Sequence, residues 1–317
     1  MPFYRRGSQG PEVTQIQRRL RDLGLYLGPL DGDFGGGTEI AVKAFQRREN
    51  LTVDGIVGPE TWGRLFPREP EIPVPAVTAA DLAYRCLALT GSFETGQPPP
   101  DCFAGLSGDF DNQGVSFGAL QWNFGQQSLQ PLLQELDQAY PYLFPEIFGE
   151  YLGELRQMLQ EPLALQLEWA RSIQYGHHRV REPWRGMFKT LGRRDECQSI
   201  QLKYAQKAYA KALEWCREYE VRSERAVALM FDIRVQNGSI PGFVKEQIFW
   251  DFQRLGSPDE VARLKIIATR RAEAAHPRWV EDVRARKLTV AAGQGQVHGR
   301  FYHLEEQFGI RLDPALT

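Results

Sequence analysis

A glutamate at the end of a predicted buried helix is the first residue of this chain whose position suits acid–base chemistry. Thr78 and Asp81 fit a capping box, and the apolar residues after them predict a helix to about Phe93 that is buried on most sides. Glu94 comes at the tip of this helix, because a Thr-Gly pair and a run of prolines follow it. Partial burial would raise the pKa of this carboxyl toward neutral pH, which suits a general acid; a plain surface glutamate is the alternative.

A glycine-rich segment with further polar groups follows the helix. Residues 105–123 alternate small, polar and aromatic side chains around a turn, which predicts a β-hairpin or a short three-stranded ribbon. Asp109 and Asp111 lie two residues apart and would share one face of a strand, so the sequence does not separate them as candidate bases. The end of the ribbon offers amide and aromatic side chains, Gln121, Trp122 and Asn123.

The N-terminal part of the chain contains an internal repeat. Segments 31–38 and 54–61 each begin with Asp-Gly and end with a threonine. Glycine accepts the positive φ of a tight turn, and the threonine can cap a helix that follows. Helical spacing of apolar residues also marks two segments: Val13 to Gly24 and Thr38 to Arg47. The sequence therefore predicts a small helical bundle built on one repeated plan.

Four prolines among residues 67–75 mark a boundary, because proline forbids helix and favours extended geometry. We expect a domain at 1–66, a proline-rich linker at 67–77 and a larger, mainly α-helical domain at 78–317 with a small hairpin sheet. Periodicity predicts the later helices at 129–140, 146–175, 196–219, 223–237, 240–255, 258–287 and around 303–308.

Composition limits the classes of partner. The net charge is −2 and the pI about 6.3, so we expect no nucleic acid and no anionic membrane as partner. The start of the chain lacks the apolar stretch of a secretory signal, and we expect synthesis in the cytoplasm as a soluble monomer. The four cysteines are expected to be free, and the histidines show no HExxH pattern, so we expect no metal or other cofactor.

The N-terminal repeat resembles the three-helix peptidoglycan-binding domain. The resemblance is carried by the two Asp-Gly turns, the Ala-Val-Lys-Ala-Phe-Gln segment at 41–46 and the Gly-Pro-Glu-Thr-Trp segment at 58–62. It covers nearly all of residues 7–66, and these features occur together in order. It implies that peptidoglycan is the partner of this domain.

The larger domain resembles the lysozyme-like superfamily, and within it the chitosanase-type branch. That branch holds its acid in a Ser-Phe-Glu segment, here ending at Glu94, and its base in a hairpin aspartate followed by glycines three and seven residues later. Asp111 with Gly114 and Gly118 fits the second pattern, and Ser116 takes the place of a threonine that helps to hold the attacking water. The resemblance implies Glu94 as acid and Asp111 as base.

Two features depart from that branch. The end of the hairpin, 118–123, is richer in aromatic and amide groups, which indicates a different substrate. A later helix end carries Asp232, Gln236 and Asn237, similar to an Asp…Gln-His-Gly segment of the branch with asparagine in place of histidine. We take these residues as candidate substrate-binding or supporting groups, with plain helix-end polar groups as the alternative.

Together the two resemblances predict a glycoside hydrolase, similar to modular phage endolysins, that cleaves β-1,4 bonds of peptidoglycan with inversion. Gln121, Trp122, Asn123 and Asp109 are the expected substrate contacts around the catalytic pair. The enzyme would reach the wall after host lysis or by another route of export. A lytic transglycosylase, a chitosanase and a wall-binding protein without activity are the alternatives.

Overall fold

The computed structural model describes residues 3–69, 71–175, 178–256 and 259–315, so Pro70 of the predicted linker lies outside the described residues. The chain divides into two units. One contains the residues up to Arg85 and those from Lys211 onward, and the other runs from Cys86 to Ala210. Both are mainly helical with small antiparallel sheets, which confirms the predicted fold class. None of the described helices is long and apolar enough to cross a membrane.

The described α-helices, in chain order, are α1 Pro11–Asp22, α2 Gly36–Arg48, α3 Pro59–Leu65, α4 Leu82–Thr95, α5 Leu129–Ala139, α6 Leu143–Phe148, α7 Leu152–Met158, α8 Leu163–Ser172, α9 Trp184–Gly192, α10 Asp195–Glu218, α11 Glu224–Asn237, α12 Gly242–Leu255, α13 Glu260–Glu273, α14 Val280–Ala292 and α15 Leu304–Phe308. The described strands are β1 Leu106–Ser107, β2 Ser116–Phe117, β3 Trp122–Asn123, β4 Gln174–Tyr175, β5 Arg179–Val180, β6 Gln294–Val297 and β7 Arg300–His303.

Helices α1, α2 and α3 form the predicted bundle around a core of its own. Pro11 occupies the first turn of α1, where its missing N–H costs nothing, and Val13, Ile16 and Leu20 are fully buried. Trp62 of α3 is also buried, and its indole N–H donates to the carbonyl of Glu69 at 2.8 Å. The bundle therefore also orders the start of the proline-rich segment.

Two buried glutamines hold the two repeats in the same way. Gln17 Nε2 donates to Asp31 Oδ1 at 2.8 Å, and the Gly32 N–H donates to Gln17 Oε1 at 3.0 Å. Gln46 makes the equivalent bonds to Asp54 Oδ1 at 2.8 Å and from Gly55 N–H at 2.9 Å. Each glutamine also reaches the threonine that ends its repeat, at 3.2 Å in both cases. The repeated motif is thus a structural device that closes each Asp-Gly turn.

A C-terminal hairpin, β6 and β7, packs on the bundle within the same unit. A Cβ added at Gly7 would lie 2.4 Å from Cβ of Phe301, so only glycine permits this approach. Arg300 is 3.0 Å from Asp33 of the first repeat, and Gln307 Nε2 donates to the Gly7 carbonyl at 2.6 Å. The bundle is therefore fixed to the C-terminal segment by both packing and polar contacts.

The unit from Cys86 to Ala210 contains the predicted three-stranded ribbon. Strand β2 pairs antiparallel with β1 and with β3, and Ser116 faces Ser107 on one side and Asn123 on the other. The core beneath it is rich in leucine and aromatic side chains from α5, α6 and α9. Gln201 of α10 is fully buried, accepts from the Ala119 N–H at 2.9 Å and donates to the Phe103 carbonyl at 2.9 Å. This side chain fixes the loops on both sides of the sheet.

Several predicted helices differ in extent. The helix predicted over 146–175 is divided into α6, α7 and α8, since Gly149 has φ 48° and Pro162 precedes Leu163. The helix predicted over 258–287 is divided at Pro277 into α13 and α14. The capping box predicted at Thr78 does not form: Thr78 lies in a short 3₁₀ helix, donates to the Pro75 carbonyl at 2.8 Å, and α4 begins at Leu82. Sequence periodicity also missed the β4–β5 hairpin and α9.

All four cysteines are unbridged and buried, as expected from the sequence. Burial raises the pKa of Cys102 and of Cys197 to about 12. These thiols are therefore protonated at neutral pH and serve as small apolar side chains.

Candidate active site

A cleft of about 300 Å³ lies beside the hairpin sheet in the unit from Cys86 to Ala210. It is lined by Glu94, Thr95, Gln97, Asp101, Ala104, Gly105, Leu106, Ser107, Gln121, Lys189 and Arg193. The predicted acid and one of the predicted amide side chains therefore share one cavity. Asp111, Ser116, Trp122 and Asn123 are not among the residues that line it.

Glu94 lies in the last turn of α4, and its side chain is exposed. The next residue, Thr95, donates its hydroxyl to the Gly91 carbonyl at 2.8 Å, which closes this turn of the helix. The sequence argument expected partial burial of Glu94, and that expectation is wrong for this open cleft. The apolar stripes of α4 are buried as far as Phe93, and the Glu94 side chain points away from the core that covers them.

Close backbone contacts set the shape of the cleft wall. A Cβ added at Gly105 would lie 2.3 Å from Thr95 Cγ2 and 2.9 Å from Gln121 Nε2. A Cβ at Gly192, at the end of α9, would lie 2.4 Å from the Ala104 Cα. Glycine at these two positions lets α4, the ribbon and α9 converge on one cavity.

Gln121 is fixed at the edge of the cleft. Its side chain accepts from the Ser107 hydroxyl at 2.7 Å and donates to the Gly118 carbonyl at 2.9 Å. Its backbone has φ 54°, in the left-handed region that glycine favours, and this strained turn aims the amide at Ser107. Gln121 is therefore pre-positioned rather than mobile in the cleft.

Three charged residues of the cleft were missed by the sequence analysis. Asp101 and Arg193 form an ion pair at 2.6 Å; Arg193 directly follows α9, and Lys189 lies in the last part of that helix. No motif marked them, because their proximity to Glu94 depends on how α9 packs. The cleft thus combines two acids with two cations.

The structure separates the two carboxylates of the β1–β2 turn. Asp109 is buried; it pairs with Arg171 at 2.7 Å and accepts from the Gly114 N–H at 2.9 Å. Burial alone would raise the pKa of Asp109, but the hydrogen bonds from Arg171 and Gly114 outweigh it and lower the pKa. Asp109 therefore stays ionised and holds the turn together. The sequence predicts that the two aspartates share one face of a strand. That prediction is wrong, because both lie in the turn between β1 and β2.

Asp111 lies at the tip of the same turn and is exposed. Its Oδ1 accepts from the Gln113 N–H at 3.3 Å, an interaction within the turn itself. Beside it, Phe110 leaves 71% of its surface exposed and packs against the ring of His178 with centroids 5.2 Å apart. The tip therefore presents a carboxylate and an aromatic ring to solvent, and Phe110 had not been singled out from the sequence.

The other predicted residues of the ribbon lie deeper. Ser116 is nine-tenths buried in the central strand. Trp122 is half-buried and packs against the apolar core. Asn123 is buried and accepts from the Gln126 N–H at 2.8 Å, so its amide oxygen caps the turn before α5. Their predicted roles in water and sugar binding stay predictions, and for Asn123 the contacts favour a structural role.

Asp232 lies in the other unit and is fully buried on α11. Arg286 pairs with it at 2.6 Å, and Lys287 binds both its carboxylate and the amide oxygen of Gln236. Burial would raise the pKa of Asp232, but the charges of Arg286 and Lys287 lower it well below its usual range. These contacts favour a supporting role within α11 and α14 over direct substrate contact. Asn237, the last residue of α11, is partly exposed.

In the described ranges, no three histidine, cysteine, aspartate or glutamate side chains are grouped as a metal site would require.

Comparison with solved structures finds chitosanases at low similarity. A native chitosanase from Bacillus subtilis aligns over 70% of this chain and 96% of its own, with 17% identity and a TM-score of 0.45. A chitosanase of Gynuella sunshinyii bound to chitotetraose aligns over 71% and 97%, with 12% identity and a TM-score of 0.46.

Curated relatives are similar to this chain over short segments. An N-acetylmuramoyl-L-alanine amidase of Mycobacterium tuberculosis is 47% identical over 57 residues, which are 18% of this chain and 14% of the relative. A spore cortex-lytic enzyme of Bacillus cereus is 45% identical over 56 residues, 18% of this chain and 22% of the relative. A zinc D-Ala-D-Ala carboxypeptidase of Streptomyces albus G is 40% identical over 63 residues, 19% and 24% respectively. The chain thus spans less than a quarter of the length of these relatives.

A family model described as "Putative peptidoglycan binding domain" matches residues 9–65. These residues contain α1, α2, α3 and both glutamine-closed turns. The match and the observed bundle agree with the resemblance seen in the sequence. Residues 9–65 of this chain belong to the peptidoglycan-binding domain family.

Proposed function

We propose that this chain is a glycoside hydrolase that cleaves β-1,4 bonds of the peptidoglycan glycan strand. One observation carries the proposal: a peptidoglycan-binding domain is joined in the same chain to a cleft that exposes Glu94 beside a hairpin whose tip exposes Asp111. The first part holds the wall and the second offers the two carboxyl groups that glycoside hydrolysis uses. The enzyme would act at the wall after release from the cell that makes it, as a monomer and without a cofactor.

In this mechanism Glu94 protonates the oxygen of the leaving sugar, and Asp111 removes a proton from the water that attacks the opposite face. A bound glycan would cover the exposed Glu94 and place its carboxyl beside the oxygen of the scissile bond. Gln121, held by Ser107, would donate to or accept from hydroxyl or acetamido groups, and Phe110 offers a ring face to a sugar. Ser116 would act in holding the attacking water. Inversion of configuration would follow.

The names of the relatives support the choice of polymer. They name an N-acetylmuramoyl-L-alanine amidase, a spore cortex-lytic enzyme and a D-Ala-D-Ala carboxypeptidase, each similar to this chain over 56 to 63 residues. Because these names include an amidase and a carboxypeptidase, the similarity supports the polymer and does not indicate which bond is cut.

Three alternatives stay open. A lytic transglycosylase needs no base, and the exposed Asp111 disfavours it. A chitosanase would fit the sequence pattern around Glu94, but the wall-binding domain disfavours it. A wall-binding protein without activity would have no need of a cleft with an exposed acid.

Mass spectrometry of the fragments released from purified peptidoglycan tests the proposal. Reducing muramic acid ends are expected, because a muramidase cuts after that sugar. Reducing glucosamine ends would move the cut to the other bond, and anhydro ends would show a transglycosylase. Cleavage of chitosan but not of peptidoglycan would show a chitosanase. If neither polymer were cleaved, the chain would be a wall-binding protein without activity.

A further inference from the structure

A cavity of about 880 Å³ lies in the unit that contains the peptidoglycan-binding domain. It is bordered by the start of the chain, the start of α11 and the segment from the end of α14 to Asp313. Its walls carry four arginines and four acids: Arg5, Arg85, Arg225, Arg311, Glu224, Glu305, Glu306 and Asp313. A cavity with both signs of charge suits a ligand that also carries both.

Most of these charges neutralise one another. Three arginines have an acidic partner across the cavity: Arg85 pairs with Glu224 at 2.5 Å, Arg5 with Glu306 at 2.6 Å and Arg311 with Glu305 at 3.4 Å. Arg225 and Asp313 remain. Within the described part of the chain neither forms an ion pair with any of the others.

Arg225 is held in place but not neutralised. Its Nη1 donates to the Ala292 carbonyl at 3.3 Å, while its Nε is buried without a hydrogen-bond partner among the described residues. The guanidinium lies against Gly293, where an added Cβ would be 2.3 Å from its Cζ, so a side chain at 293 would displace the guanidinium. Burial lowers the pKa of Arg225, and the charge of Glu305 opposes that only in part. An anion beside this side chain would supply the missing partner.

Backbone hydrogen bonds join the segment that contains Asp313 to the start of α11, which contains Arg225. The Arg225 N–H donates to the Arg311 carbonyl at 3.1 Å, and the adjacent Glu224 N–H donates to the Asp313 carbonyl at 3.0 Å. The Asp313 side chain is exposed on the wall of the cavity. One unpaired cation and one unpaired anion therefore border the same space.

We propose that this cavity binds a peptide end that carries both a carboxylate and an ammonium group, with the carboxylate at Arg225 and the ammonium toward Asp313. The planar guanidinium suits a carboxylate, and the surrounding acids disfavour a multiply charged phosphate. A neutral sugar would leave both charges unpaired. The inference rests on the proposed function for its source of such groups, the peptide stems of peptidoglycan, which end in carboxylates and can carry the amino group of a diamino acid.

Calorimetry on the full chain with a free-ended tripeptide, L-Ala-γ-D-Glu-meso-diaminopimelate, tests the proposal. Wild type is expected to bind it, and Arg225→Gln and Asp313→Asn are each expected to weaken binding about tenfold, which corresponds to about 1.4 kcal/mol. Arg225→Lys keeps the charge but not the planar guanidinium, so its affinity for the tripeptide should lie between those of wild type and Arg225→Gln. Arg222→Gln removes an exposed arginine near the start of α11 and is the matched control, expected to bind as wild type does.

A tripeptide with its amino groups acetylated and its carboxylates amidated tests the wild type without any substitution, and it should bind at least tenfold more weakly. Equal binding of the blocked and free peptides, no binding to wild type, or unchanged binding by Arg225→Gln would each overturn the proposal. Inorganic phosphate that displaces the tripeptide at equal concentration would also overturn it, because the site would then be a general anion site. Cleavage of glycan strands is measured in parallel, and Glu94→Gln should abolish it while keeping tripeptide binding. If the wild type bound the tripeptide but cleaved no glycan, the proposed function would be disproved and the binding site would stand.

Discussion

The peptidoglycan-binding bundle and the cleft beside the ribbon use polar side chains in opposite ways. In the bundle, Gln17 and Gln46 are buried and each bonds to the turn and to the threonine of its repeat. In the other unit, Glu94 lines an open cleft and Asp111 projects from the ribbon, both exposed to solvent. A strongly patterned polar residue can therefore be a structural device, whereas the proposed chemistry depends on residues that the fold leaves accessible.

The ribbon turn repeats this contrast over three residues. The Asp109 carboxylate accepts from Arg171 and from the Gly114 N–H, while among the described residues Asp111 accepts only from the Gln113 N–H of its own turn. The buried acid fixes the turn, and the exposed acid is presented by it. Sequence spacing alone had treated the two as equivalent.

The sharpest test of the comparison is removal of the exposed acid. Glu94→Gln is expected to lower wall lysis at least 100-fold, because glutamine keeps the size of the side chain but cannot supply the proton. Turbidity loss of purified sacculi measures it. The fold and wall binding should be unchanged, and Glu150→Gln, at another exposed glutamate of the same unit, is the control. Residual activity above about a tenth of wild type would remove Glu94 as the acid, given the usual contribution of ~10²–10⁴-fold.

Substitution of Asp111 should mainly lower activity, whereas substitution of Asp109 should mainly lower stability. Asp111→Asn is expected to lower activity by about 100-fold with little change in stability, whereas Asp109→Asn should lose less activity and more stability. Lysis assays and urea unfolding of the two variants measure both quantities. NMR of the first-formed anomer on a soluble oligomer should show inversion; retention would exclude Asp111 as the base that activates water.

Within the bundle, Gln46→Ala should destabilise without touching chemistry. It leaves the Gly55 N–H and the Asp54 carboxylate without their partner, at a cost of about 1–3 kcal/mol. Thermal unfolding measures the loss. Gln15→Ala, which removes an exposed hydrogen bond to Glu69, should cost less than about 0.5 kcal/mol. Equal effects of the two substitutions would contradict the structural role given to the buried glutamines.

The smallest expected effect is a pH dependence. The folded-state pKa of Asp109 is lowered, because the bonds from Arg171 and Gly114 outweigh burial, so its stabilisation is present above the unfolded value of about 3.9. It is lost as pH falls through the lower folded value. Urea unfolding is measured from about pH 6 to about pH 3, a range that brackets the unfolded pKa. The free energy of unfolding should decline less with falling pH for Asp109→Asn than for wild type. An identical decline in both would argue against this ion pair as a source of stability.

Much of the architecture could be predicted from local pattern. The Asp-Gly turns, the apolar spacing of α1 and the alternation of residues 105–123 gave the bundle and the three-stranded ribbon. Long apolar periodicity was less reliable: it ran through Gly149 and Pro277, where single residues end a helix. Short-range hydrogen bonds and backbone sterics explain both the successes and the breaks.

Which acids are buried, and what they face, was decided by tertiary structure. Asp109 meets Arg171 across 62 positions of sequence, and Asp232 meets Arg286 across 54. Lys189 and Arg193 reach the cleft of Glu94 only because α9 packs against the ribbon. By itself the sequence determined the elements and the repeat, since those depend on neighbours along the chain. The burial and charge of a carboxyl depend on side chains that folding brings from far away, so only the tertiary structure could separate structural acids from accessible ones.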